Sequence, residues 1–336
     1  MSEILACFLL VELRSDNMII SRISHPDLTG AIILGLLVAL TSGCANLPPS
    51  QTLPQASITP NNINTQTQET LSIGSTLVSP VDQMTMVFVP AGKFEMGSKI
   101  GLTDEQPVHT VYLDAYWIDR TEVTNAQYAK CVQAGKCTLP SSTEYFNDPA
   151  YTDHPVVFVS WNQARNYCGW AGRRLPTEAE WEKAAVWDPV AQHSRTYPWG
   201  DNFDCHKANF DDEVQIDPSL MPDTTVGCDG FVRTAPVGSF PAGASPYGAL
   251  DMAGNVWEWV HDAFLEVDPL TPTIKNYYAI SPEANPQGVD PKLSDYRVVR
   301  GGSWNYTFGF GRSAYRLWYG LDDSYDGIGF RCAQSQ

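Results

Sequence analysis

Hydrophobic and polar positions divide this chain into three stretches. Ala31 to Leu40 is an unbroken apolar run. Crossing a bilayer takes about 20 apolar residues, so a run of roughly half that length suits the core of an export signal instead. From Ala45 to about Gln83 the pattern fades, and Pro, Thr, Gln, Asn and Ser dominate with almost no charge. Such a segment buries too little apolar surface to offset the entropy of ordering, and residues 44–83 read as a flexible tether. Periodic patterns begin beyond it. Residues 86–97 (MVFVPAGKFEMG) predict a strand, a Pro-Ala-Gly turn and a second strand, and Val108 to Ile118 alternates well enough to predict another. Three helix starts carry a Ser or Thr followed three residues later by Glu or Gln: Thr124/Gln127, Ser160/Gln163 and Thr177/Glu180. The first two helices are expected to end at Gly135 and at Gly169 or Gly172, where glycine tolerates the left-handed cap. After Ala185 the helical period is lost and turn dipeptides and aromatics take over. Helices early and irregular strands late predict an α+β body over residues 84–336. Its long loops need disulfides, aromatic packing or metal ions to hold them.

Composition adds constraints. With 38 Asp and Glu against 21 Lys and Arg, the net charge of −17 argues against nucleic acid, whose phosphates need cationic partners. An acidic surface suits cation binding, and equally suits simple solubility. Thr41-Ser42-Gly43-Cys44 follows the apolar run and resembles a bacterial lipobox. Residues 1–43 are therefore expected to be a lipoprotein signal peptide, with Cys44 acylated and inserted in the lipid bilayer. Glu3, Glu12 and Asp16 fit poorly in a segment that should be basic, so translation is expected to start at Met18, leaving Arg22 as the positive charge. Ala45 after the lipid cysteine resembles the sorting rule for the outer membrane, facing periplasm or surface. Of eight cysteines, six remain beyond Cys44: Cys131, Cys137, Cys168, Cys205, Cys228 and Cys332. An even set in an exported domain suggests disulfides, but the spacing alone leaves many pairings open. No CxxC pair and no zinc-spaced histidines occur.

A resemblance narrows these readings. The segments VPAGKFEMGS, EVTNAQY, HPVVFVSWNQA, YCGWAGRRLPTEAEWEKAA, YPWGD, ANF, DGF, APVGSFP, YGALDMAGNVWEW, VVRGGSW and GFRCA stand in compatible order and spacing. On them the chain is identified as a member of the formylglycine-generating enzyme (sulfatase-modifying factor) family. The resemblance implies a variant of the C-type lectin fold with little regular secondary structure. It also implies a disulfide joining Cys168 to Cys332, beside two local pairs expected at Cys131–Cys137 and Cys205–Cys228. It implies two calcium sites: Asn209, Phe210, Asp229 and Phe231 for one; Asp251, Gly254, Val256 and Glu258 for the other, with Asp251 where asparagine is usual. On spacing alone, Asp229-Gly230 is a turn and Glu258 a buried carboxylate; calcium is the expectation that the resemblance adds, and mixed oxygen donors from loops suit a hard cation.

In catalytic members two cysteines bind copper(I) and activate oxygen to oxidise a substrate cysteine. Those positions align here with Tyr306 and Gly311. A phenol is a hard donor and glycine offers no side chain, so neither replaces a thiolate for a soft ion. Copper and formylglycine formation are therefore not expected. Sulfoxide-synthase relatives carry iron on histidines of an additional N-terminal domain, whereas His109, His154, His193, His206 and His261 show no paired spacing. Around the missing pair stand Trp304, Tyr306, Phe308, Phe310, Tyr315, Trp318 and Tyr319 with Arg312 and Arg316 interleaved. They read either as a recognition groove, with Ser303, Trp304, Tyr306 and Arg312 its candidates, or as a packed aromatic core. The expected function is a calcium-stabilised, non-catalytic binding or accessory module for a peptide, glycan or partner protein. The alternative is an oxidoreductase acting on a peptide or metabolite with non-cysteine metal ligands.

Overall fold

Strand alternation builds the centre of the body. In β2 (Thr85–Val89), Val87 and Val89 enter one hydrophobic core while Met86 and Phe88 enter a second on the opposite face. The structure is a computed structural model and describes residues 71–211, 227–265 and 277–336. Cys44, the apolar run and most of the tether lie outside the described residues. β2 sits between β1 (Thr76–Val78) and β5 (Tyr116–Asp119), and β12 (Ala333–Ser335) closes the other edge. All three pairings are antiparallel, with Val87 opposite Ile118 and Ala333 opposite Ile118 from the other side. In β5, Ile118 and Tyr116 face the first core and Trp117 the second. β3 (Gly92–Met96) leaves this sheet after the Pro-Ala-Gly turn and pairs with β4 (His109–Leu113). The single strand expected over 108–118 is thus two, broken at Asp114 and Ala115.

The expected capping boxes are all formed, at Thr124/Gln127, Ser160/Gln163 and Thr177/Glu180. They start α1 (Asn125–Gln133), α2 (Trp161–Trp170) and α3 (Glu178–Val186). Gly135 and Gly172 take φ of 67° and 76° just past the first two helices. α1 and α2 pack on the second core through Tyr128, Tyr167 and Cys168; α3 packs on the first through Trp181 and Ala184. A short pair, β6 (Trp187–Asp188) and β7 (His193–Ser194), follows α3. The second sheet orders β10 (Leu317–Gly320), β9 (Tyr296–Arg300), β8 (Trp257–Ala263) and β11 (Ile328–Phe330), with β11 parallel to β8.

The boundary of the tether moves. Residues 76–82, read as its end, are built into the body. β1 pairs with β2, and Asp82 is fully buried against Arg173 and accepts from the Tyr167 hydroxyl at 2.7 Å. Few apolar residues and a lone carboxylate disguise this stretch in the sequence; its partners lie about ninety residues away. The sulfurs are bonded as Cys131–Cys137, Cys168–Cys332 and Cys205–Cys228.

Candidate functional site

The Gly-Gly-Ser segment closes onto the 251–258 loop. Gly301 and Gly302 take φ of 99° and 81°, a region that favours glycine. Gly254 N–H donates to Gly301 O at 2.8 Å, and Trp304 N–H to Asn255 O at 2.9 Å. The two positions that align with the cysteine pair are then filled differently. A Cβ on Gly311 would lie 2.1 Å from Phe210 Cζ, so the Phe210 ring occupies the space a side chain there would need. Tyr306 packs edge-on against Trp257 at 5.5 Å and Phe310 at 5.2 Å between ring centroids. Its hydroxyl lies 3.2 Å from that of Tyr319, whose pKa is pushed up by burial and by that contact.

The four cleft candidates do not share one pocket. Ser303 is fully buried, its hydroxyl donating to Asn305 Oδ1 at 2.9 Å and reaching Asn255 O at 3.4 Å. Arg312 makes a two-pronged pair with the buried Glu105, both contacts 2.8 Å, and lines a cavity of about 300 Å³ with Lys99, Glu182 and Arg195. Trp304 lines a second cavity of about 280 Å³ with Phe210, Asp211, Phe231, Val232, Arg233 and Asn305. Tyr306 lines neither. Of the two readings, groove or packed core, the structure gives each a part: Arg312 and Trp304 line two separate cavities, while Ser303 and Tyr306 line neither.

The candidate ion ligands fall into two adjoining clusters. Asn209 is buried; its Nδ2 donates to Arg233 O at 2.8 Å, and its Oδ1 has no hydrogen-bond partner among the described residues. Asp229 accepts from Phe210 N–H at 3.0 Å and Phe231 N–H at 2.9 Å, which draws those residues together as a loop. A buried amide oxygen in the same loop cluster is the donor type a hard cation takes. In the second cluster Asp251 accepts from Gly238 N–H at 2.6 Å. Glu258 is differently engaged: Arg331 binds both its oxygens, at 2.6 and 2.7 Å, and Trp181 Nε1 donates at 2.8 Å. Beside them stands Glu122, fully buried, accepting from Asn255 Nδ2 at 3.0 Å and paired with the Asp251 carboxyl through a side-chain hydrogen bond. Burial first, then the Asp251 charge, pushes the Glu122 pKa far up; burial likewise raises Asp251. Three buried carboxyl groups thus gather around one guanidinium; burial favours the protonated form of Glu122, and a bound divalent ion would favour the ionised one. Glu122 escapes a sequence reading because it lies in EVTNAQY, far along the chain from Asp251, with no spacing that points to it.

Among the described residues the one cluster of His, Cys, Asp and Glu drawn tightly enough to ligate a metal is Asp204, Cys205 and His206. Cys205 is in a disulfide, so its thiolate is not available.

Residues 75–336 match the family described as the Sulfatase-modifying factor enzyme 1-like domain. This chain belongs to that family. The sulfatase-modifying-factor-like chain is 36% identical over 297 residues to the formylglycine-generating enzyme of Streptomyces coelicolor, covering 74% of this chain and 88% of that one. It is 35% identical over 266 residues to the hercynine oxygenase of Mycolicibacterium smegmatis, covering 70% and 57%. The chain spans between 38% and 57% of the first curated relatives it matches. Among solved structures, PvdO from Pseudomonas aeruginosa superposes with a TM-score of 0.61 at 26% identity, covering 80% of this chain and 100% of that one. The mix of sheets with few helices is the α+β fold of this family.

Proposed function

We propose that this sulfatase-modifying-factor-like chain is a non-catalytic binding or accessory module, stabilised by calcium and held to the cell envelope through acylated Cys44. The observation that carries the reading is the Phe210 ring in the space facing Gly311, with Tyr306 packed among aromatics. The family's scaffold is retained around a centre that offers no paired soft ligands. Asn209, Phe210, Asp229 and Phe231 would hold one ion. Asp251 with Glu122 would supply carboxylate oxygens for a second, alongside the Gly254 and Val256 carbonyls. Bound there, calcium would cross-link loops that have little regular structure of their own.

A ligand that binds only the folded state stabilises it by about 2.7 kcal/mol at a hundredfold excess over its dissociation constant. Chelation is therefore expected to lower the melting temperature by roughly 5–10 °C in a body this size, and Asn209→Ala is expected to reduce that shift. An unchanged melting curve in EDTA removes the calcium part of the reading. Stoichiometric iron or copper in the purified protein, with oxygen consumption, would replace the non-catalytic reading with that of an oxidoreductase, as the names of its relatives allow.

A further inference from the structure

The 280 Å³ cavity at Trp304 combines aromatic walls with charged and amide side chains. We infer that it binds one neutral sugar ring of a glycan; this rests on the binding-module reading and supplies its ligand class. The walls are aromatic on several sides: Trp304, Phe210 and Phe231. Trp304 is half-buried, and its indole N–H is taken by Asp326 O at 3.2 Å. Its ring lines the cavity, with the Arg233 guanidinium over it at 5.9 Å from the centroid. An aromatic face packs well against the flat C–H face of a pyranose.

The polar groups set the charge of the ligand. The Arg233 guanidinium lies 5.9 Å from the Trp304 ring and 5.6 Å from that of Tyr145, and it donates to the Tyr145 hydroxyl. Asp211 adds a carboxylate to the lining; its backbone N–H donates to Tyr306 O at 3.0 Å, and no hydrogen bond reaches its carboxylate among the described residues. Asn305 is exposed; Ser303 donates to its Oδ1, which turns Nδ2 outward as a donor. A charged ligand would meet a like charge on one wall. A neutral ring bearing several hydroxyls meets a carboxylate acceptor, an amide donor and a guanidinium donor at once. A cavity of this size holds one ring and leaves the rest of a chain outside.

The floor of this pocket is the first ion cluster. Phe210 and Phe231 line the cavity while their N–H groups are fixed by Asp229, and Arg233 O is fixed by Asn209. The recognition surface is thus made from the same loop as the proposed ion site.

The test is calorimetric titration of the full chain with chitotriose, cellotriose and maltotriose, followed by a glycan array. Saccharide binding is expected, weakened roughly ten-fold or more in Trp304→Ala and largely retained in Trp304→Phe. Near-ultraviolet circular dichroism and the melting temperature of each variant check folding. Binding that Trp304→Ala leaves unchanged overturns the inference, as does the absence of any saccharide bound. If a peptide library binds instead, the sugar assignment falls and the non-catalytic reading stands. Oxygen consumption by the same preparation would remove that reading by a separate readout.

Discussion

Gly311 and Phe210 are one structural unit, although about a hundred residues separate them. Placing a side chain at 311 puts its Cβ within 2.1 Å of the Phe210 ring. Gly311→Cys is therefore expected to cost about 1–3 kcal/mol through overpacking. Phe210→Ala alone is expected to cost about 3–5 kcal/mol through the cavity it leaves. Combined, the two should cost less than their sum by at least about 1 kcal/mol, since each relieves the other. Urea melts of the four proteins give the cycle; strict additivity would mean that the ring does not occupy that space. The sequence showed the missing thiols plainly, because identity at a position is local information. It did not show what fills the space, because a ring brought in from residue 210 leaves no periodic or spacing signal near residue 311. The same holds for Arg312, which reads as a cleft residue beside aromatics but whose partner is Glu105, 207 positions away.

At the level of elements, the helices were legible and their surroundings were not. Each N-terminal box is a four-residue pattern that works through its own backbone, so Thr177 and Glu180 announce α3 directly. That every residue of α3 is buried could not be read, since Glu178, Glu182 and Lys183 look like a solvated face. Glu178 and Glu182 are buried because Arg300 and Arg316 reach them from the second sheet and the loop beyond it. Among the described residues Lys183 has no carboxylate partner and donates instead to Pro90 O at 2.9 Å and Gly92 O at 3.0 Å. Burial lowers its pKa to about 8 from 10.5. Below pH 8 the folded and unfolded chains both hold this proton, and the cost of burying the charge is constant. Between pH 8 and 10.5 the unfolded chain holds a proton that the folded one has released, so this group makes stability rise with pH. The slope is at most about 1.4 kcal/mol per pH unit. Lys183→Met is expected to remove that rise between pH 8 and 9.5, as read from urea midpoints. A slope equal to that of the wild type would show that Lys183 stays charged throughout.

Across the whole molecule, the disulfides differ in what they restrain. Cys168–Cys332 closes a loop of 164 residues and ties α2 to the turn between β11 and β12, whereas Cys131–Cys137 closes one of 6. Restriction of the unfolded chain predicts a loss of about 5 kcal/mol for the long loop and about 2 for the short one on replacing each pair by alanine. Guanidinium midpoints should fall in that order; equal shifts would put the stabilisation in local packing instead. Arg331, next to Cys332, donates at once to Glu258, Leu250, Asp119 and Arg120, joining both sheets at the same point. This placement bears on how the protein is made. β12 supplies an edge to a sheet begun at Thr76, and β11 supplies an edge to β8, so both sheets wait for residues 328–335. Pairings over such distances form slowly, after the loop entropy between them has been overcome. Until residues 328–335 have paired, the chain therefore holds two sheets with open edges, surfaces on which another chain can add a strand.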